Sequence, residues 1–200
     1  MLDEVIDRGI EARGVTAKDG TAKARIERAA LNLFIKTSIE GVSTKSLSTL
    51  AGVSEGLLYR HFKSKDDLAR TLMFEIHTRL TDLVRGHTDQ SLDAAIGDIV
   101  RDYARLADED WALFAYHLLY MHRFAGIDDD SPLKAATDLV SFNQSAGRLP
   151  TGLAPHVLAS MALGVVLQTA QSKVAGVIDQ PLSDFIPYWE RAIMAVLEDA

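Results

Sequence analysis

The sequence predicts an all-α fold, and three observations carry that prediction. Apolar residues recur three and four positions apart along most of the 200 residues, the period of a helix with one buried face. Strand signals are nearly absent. From Ser43 onward, three capped helix starts crowd into about 22 residues. The expected organisation is an extension over residues 1–20, a three-helix unit over 21–68 and a larger helical domain over 69–200.

The extension is acidic, carries Gly9, Gly14 and Gly20, and reads as a frayed arm or a short extra helix. Arg13 and Lys18 offer little charge for contact with a polyanion. A first helix follows over about Thr21 to Ser38, with Ile26, Ala30, Leu33 and Phe34 on one stripe and Lys23, Arg25, Arg28 and Lys36 around the polar side. Ser43 stands before the short pattern Leu47, Leu50, Ala51, where its hydroxyl can accept from a first-turn N–H. Gly52 comes directly after, a residue that ends a helix in the left-handed region without Cβ strain. Ser54 is the next cap, flanked by Val53 and Leu58 at the spacing of a hydrophobic staple.

The helix after Ser54 turns Leu58 and Phe62 inward and Glu55, Gly56, Tyr59, Arg60 and Lys63 outward. Ser64 then caps a further helix, with Asp67 in the capping-box position. Two short helices joined by a tight turn, the second displaying polar, aromatic and basic groups, have the layout of a helix-turn-helix DNA reader. The charge distribution agrees. Residues 21–72 hold nine Lys/Arg against five Asp/Glu, a net of +4 in a chain of −7, so the remainder carries −11. An acidic chain with one basic segment shows where a polyanion would dock.

At these residues the chain resembles the TetR family of bacterial regulators. The pattern G-x-[ST]-T-[KR]-x-L-x-x-x-x-G-V is matched by Gly41, Thr44, Lys45, Leu47, Gly52 and Val53. The pattern L-Y-x-H-F-x-[SN]-K-x-x-L is matched by Leu58, Tyr59, His61, Phe62, Lys65 and Leu68. The resemblance covers about 50 residues and implies a DNA-binding role for Ser43, Thr44, Lys45 and Ser54. It implies that Lys45 reaches a base or phosphate and that Glu55, Gly56, Leu57 and Arg60 face the major groove. Tyr59, His61 and Lys65 would be phosphate anchors, as a hydroxyl, an imidazole and an ammonium suit phosphate oxygens. Arg60 is the candidate base reader, because its fork matches guanine O6 and N7. Glu55 either accepts from a cytosine amine or filters against wrong sequences. Leu57 departs from the family's small or hydroxylated residue. There either a phosphate anchor is missing or the Leu57 methyls touch thymine.

Beyond the reader, a helix to about Gly86 carries Leu68, Leu72, Ile76, Leu80 and Leu83. Further helices are predicted over about Leu92–Leu106, Trp111–Phe124 and Pro132–Ala146, separated by polar breaks at 126–132 and 147–152. The stretch from about Pro155 to Val177 is apolar almost all round, and the final helix sets Phe185, Ile186, Trp189, Ile193, Val196 and Leu197 on one stripe. A helix without a wet face must be covered on both sides. Either the monomer core or a second copy supplies that cover. A homodimer would use Ala159, Ala162, Leu163, Val166 and Ala170 with Phe185, Trp189, Ile193 and Val196, and would match a palindromic operator.

By resemblance the larger domain holds a pocket for a small-molecule effector. Its aromatic and polarizable candidates are Phe74, Tyr103, Trp111, Phe114 and Tyr120, then Met121, Phe124 and Phe142. The same spacing also describes plain core. His77, His117 and Gln168 are the polar groups suited to fixing a ligand's orientation.

Several classes are excluded or disfavoured. The chain has no cysteine, so disulfides and thiolate metal sites are absent. No phosphate loop, Gly-x-Ser-x-Gly elbow or His-Glu-x-x-His pattern occurs, His117 and His122 are splayed on a helix, and no cofactor or catalytic residue is expected. No apolar run is expected to reach the length of a membrane span, and no signal peptide is evident. The expectation is a cytoplasmic, ligand-responsive regulator of transcription, most simply a repressor released from double-stranded operator DNA by its effector. The alternative is an activator or a helical dimeric interaction protein of the same fold, with weakened or no effector-gated DNA release.

Overall fold

A computed structural model describes residues 20–124, 126 and 130–199. The expected extension, with Arg13 and Lys18, lies outside the described residues except for Gly20. Among the described residues the chain forms nine α-helices, one short 3₁₀ turn and no strand. In order these are α1 (Ala22–Gly41), α2 (Thr44–Ala51), α3 (Glu55–His61), α4 (Lys65–Arg85) and α5 (Leu92–Glu109). There follow α6 (Trp111–Tyr120), α7 (Pro132–Ser145), α8 (Pro155–Val174), the 3₁₀ turn Leu182–Phe185 and α9 (Ile186–Glu198).

The chain divides into two compact units, Met1–Ile76 with Trp111–Ile127, and His77–Asp110 with Asp128–Ala200. The boundary between these units falls inside α4, and α6 belongs with the N-terminal helices.

In the first unit, α1 packs against α2, α3 and α6. Thr21 caps α1 by accepting from the Ala24 N–H at 3.2 Å. Ile26, Ala30 and Phe34 of its predicted stripe are fully buried. The expected end at Ser38 is a kink, where Ser38 adopts φ 72° and ψ 160° and its hydroxyl accepts from the Gly41 N–H. Phe34 packs against Tyr116 with ring centroids 6.0 Å apart, and Tyr116 against Tyr120 at 5.1 Å. Helix α6 is shorter than predicted. The chain turns after Tyr120, and Arg123 there pairs with Glu40 and Asp66 while lying over the Phe124 ring.

In the second unit, α8 packs on α7 and α9, and α9 also packs on α5. The Trp189 ring meets Tyr103 edge-on at 5.9 Å, and its indole N–H donates to the Thr169 hydroxyl at 3.1 Å. Asp108 accepts from the Leu182 and Ser183 N–H groups and so holds the 3₁₀ turn at the end of α5.

Burial and helix length bear on two expectations. Ala159, Val166, Ala170, Trp189 and Ile193 are buried within the chain itself, and Ala162, Leu163, Phe185 and Val196 are half-buried. The predicted dimer stripe is thus largely protomer core. A helix apolar on every side gives no phase in the sequence, and the neighbouring stripe of α8, Val157, Met161, Gly164 and Gln168, is the exposed one. Helix α8 also has the length and composition of a membrane span, with a mean hydropathy of 1.2 in its most apolar window. Its packing between α7 and α9, and the polar Gln168, Gln171 and Lys173 along it, suit a protein interior and interface better than lipid.

Candidate nucleic-acid interface

The reader is assembled from short-range capping. The Ser43 hydroxyl accepts from the Ser46 N–H at 3.0 Å and starts α2. Gly52 ends α2 at φ 63°, where the Val53 N–H reaches the Ser48 carbonyl at 3.0 Å. Ser54 starts α3 by accepting from the Leu57 N–H at 3.2 Å. Arg25 of α1 donates to the Ala51 carbonyl at 3.1 Å, so the end of α2 is also tied to the supporting helix. Leu47, Leu58 and Phe62 are buried beneath the motif.

This burial fixes what α3 shows to solvent. Glu55, Gly56, Tyr59, Arg60 and His61 are exposed, as are Lys45 on α2 and Lys63 after α3. Tyr59 retains 52% of its surface although it is a large aromatic. Leu57 is half-buried, so its methyls are only partly available. A Cβ at Gly56 would meet nothing within 4 Å, so the fold itself does not require glycine there.

Three site residues, Thr44, Glu55 and Lys65, have partners that the sequence did not reveal. Thr44 Oγ1 donates to Glu55 Oε2 at 3.1 Å, linking the first residues of α2 and α3. The Lys65 ammonium donates to the Glu40 and Val42 carbonyls at 3.0 and 2.8 Å, closing the end of α1. One N–H of Lys65 remains beyond those two bonds. Asp67 completes a variant of the expected cap. Its N–H donates to Ser64 Oγ, and its carboxylate accepts from the Lys63 N–H, one residue before the cap.

The effector candidates are divided between the units. In the first, Phe114 is fully buried, stacks on Trp111 at 6.1 Å and meets His117 edge-on at 6.4 Å. Tyr120 donates to the Phe34 carbonyl at 2.9 Å, Met121 is half-buried, Phe124 is buried beneath Arg70 and Arg123, and Phe74 is 55% exposed. In the second, His77 and Tyr103 are buried, and burial pushes the Tyr103 phenol well above its usual range. Phe142 lies under the Arg148 guanidinium and lines a cavity of about 220 Å³ with Arg85, Asp138 and Leu139. Gln168 lies on the exposed stripe of α8.

These features define a helix-turn-helix unit in a chain whose described residues form helices and no strand. Residues 26–72 match the family model for bacterial regulatory proteins, tetR family. An HTH-type transcriptional regulator from Staphylococcus aureus (strain bovine RF122 / ET3-1) is 30% identical over 82 residues. That match takes in 40% of this chain and 44% of the relative, so the chain spans less than half the length of the curated relative it matches.

Among solved structures, FadR from Bacillus subtilis, in complex with stearoyl-CoA, aligns with a TM-score of 0.75 at 15% identity, over 88% of this chain and 99% of its own. The fatty acid degradation regulator FadR from Bacillus halodurans aligns at 0.73 and 16% identity, over 88% and 96%. The TetR-family regulator PfmR from Thermus thermophilus aligns at 0.68 and 15% identity, over 86% and 97%. Residues 26–72 are thus a helix-turn-helix segment of the kind found in tetR-family bacterial regulatory proteins, and the chain as a whole shares the fold of these solved structures.

Proposed function

We propose that the protein works in the cytoplasm as a homodimeric repressor of a palindromic operator and leaves it when a small molecule binds. The exposed face of α3 carries this reading. Arg60 reads a guanine edge, while Tyr59, His61, Lys45 and the remaining N–H of Lys65 hold phosphates on either side. Pairing through the exposed stripe of α8 presents two such faces to half-sites about one helical turn, roughly 34 Å, apart.

The effector acts on the aromatic set of α6 that includes Trp111, Phe114 and His117. Helix α4 follows the reader directly along the chain, and a shift of that helix is the step by which the effector releases the operator. A coupling of about 1–3 kcal/mol weakens operator binding roughly 5- to 150-fold. The stearoyl-CoA in the B. subtilis FadR structure makes a long-chain acyl thioester the first probe to try.

The deciding experiment is footprinting on duplex fragments flanking the protein's own gene, with Arg60→Ala alongside. A protected palindrome whose preference weakens at one base pair per half-site in the variant supports the reading. A protein that stays monomeric and protects no duplex in dilute buffer overturns it.

A further inference from the structure

We propose that Thr44 holds the Glu55 carboxylate in place as a base-reading acceptor, so that the pair selects cytosine at one operator position. The inference rests on the DNA-binding reading above and assigns the part played by the one acid on the recognition face.

Thr44 and Glu55 are the first residues of α2 and α3, and the turn through Gly52 and Ser54 brings them together. The Thr44 hydroxyl donates to Glu55 Oε2 at 3.1 Å. An ionised carboxylate offers about four lone-pair sites. One bond from Thr44 therefore leaves Oε1 and part of Oε2 as acceptors on an exposed side chain. Thr44 is also a neutral partner. A lysine or arginine there would cancel the charge, whereas a hydroxyl orients the carboxylate and leaves it fully negative.

That orientation decides which base edge fits. In the major groove, cytosine presents only its N4 amine, a donor. Guanine N7 and O6 and thymine O4 are acceptors and repel a carboxylate. Adenine offers N6 as a donor but sets the N7 acceptor beside it. A fixed acceptor-only group therefore favours cytosine and penalises the other three. A freely rotating Glu55 would instead swing away from each unfavourable edge and discriminate poorly. Thr44 is thus a positioning residue, acting on specificity through Glu55.

The test is enrichment from a randomised duplex pool with the full-length protein and the variants Thr44→Val, Thr44→Ser and Glu55→Gln, followed by affinities on the best duplex and its single-base changes. The intact protein is expected to prefer cytosine about tenfold at one position per half-site, as a single well-placed contact gives. Thr44→Val lowers that preference to about threefold or less at the same position and leaves the other positions sharp. Thr44→Ser, which keeps the hydroxyl, restores it. Glu55→Gln loses the same position.

A Thr44→Val protein with an unchanged cytosine preference overturns the inference alone. So does a Glu55→Gln protein that binds every duplex more tightly by the same factor, because the carboxylate would then only repel phosphate. An intact protein that enriches no sequence overturns the DNA-binding reading and this inference with it.

Discussion

The hydroxyl of Tyr116 donates to the main-chain carbonyl of Ala69 at 2.8 Å, from a ring that is fully buried. One turn on, Tyr120 donates to the Phe34 carbonyl at 2.9 Å. Two phenols on α6 thus fasten it to α4 and α1 within the unit that carries the reader. Burial raises the Tyr116 phenol above its ordinary value of 10.0. The folded state therefore holds the phenolic proton more tightly than the unfolded chain does. That contribution is fully present below about pH 10 and is lost as pH rises through the raised folded value. Denaturant midpoints measured upward from pH 9 should fall beyond about pH 10, and the fall should be shallower in Tyr116→Phe. At neutral pH the same variant should lose about 0.5–1.5 kcal/mol, the worth of one hydrogen bond.

Ser38 offers the opposite sign. Its φ of 72° and ψ of 160° lie in a region that essentially only glycine occupies, at a cost of about 1–3 kcal/mol for other residues. The hydroxyl partly offsets this by accepting from the Gly41 N–H at 3.3 Å, an exposed bond of modest value. Ser38→Gly should relieve more than it loses. A net gain of roughly 1 kcal/mol would raise the melting temperature by about 2–4 °C in a chain of this size. An unchanged or lower midpoint would show that the hydroxyl matters more than the backbone geometry.

Gly56 separates the demands of folding from those of binding. Its φ is not positive and a Cβ would meet nothing within the chain, yet glycine in a helix costs about 0.5–1 kcal/mol relative to alanine. On the proposed reading α3 meets DNA at this face, and the absence of a side chain would let a base edge approach the backbone. Gly56→Ala should therefore stabilise the folded chain by about 0.5–1 kcal/mol in urea titrations. Operator affinity in gel shift should fall by about tenfold, equivalent to about 1.4 kcal/mol of steric cost. A variant that gained stability and bound equally well would place Gly56 outside the interface.

The helix starts at Ser43 and Ser54 and the stop at Gly52 were legible because capping is local, needing residues at most five apart. The inner face of α3 was legible for the same reason, since Leu58 and Phe62 differ sharply from their neighbours. What escaped is long-range. Lys65 was expected to be a phosphate anchor, and its bonds to Glu40 and Val42 span 25 and 23 residues with no pattern to announce them. The strain at Ser38 was equally silent, because a serine three residues before a glycine carries no sign of a left-handed backbone. Helix α8 was ambiguous for a third reason. Apolar residues on all sides supply hydrophobicity without direction, so the sequence named the stripe its own protomer covers.

The exposed stripe of α8 gives the sharpest test of pairing. Val157, Met161, Gly164 and Gln168 follow one another at intervals of four, three and four, and Met161 keeps 48% of its surface. A Cβ at Gly164 would meet nothing within 4 Å, so packing within the protomer does not require glycine there. A second α8 crossing there would bury the methionine and use the glycine for close approach. Met161→Arg places a cation at the centre of that contact but leaves the protomer's own core untouched. Its unfolding free energy at protein concentrations where both forms are monomeric should stay within about 0.5 kcal/mol of the parent. Sedimentation should shift from dimer to monomer, and operator binding should fall to that of an isolated half-site, because two weak contacts no longer act as one. A variant that still sediments as a dimer would move the interface to another face, and the palindrome would have to be explained through that face instead.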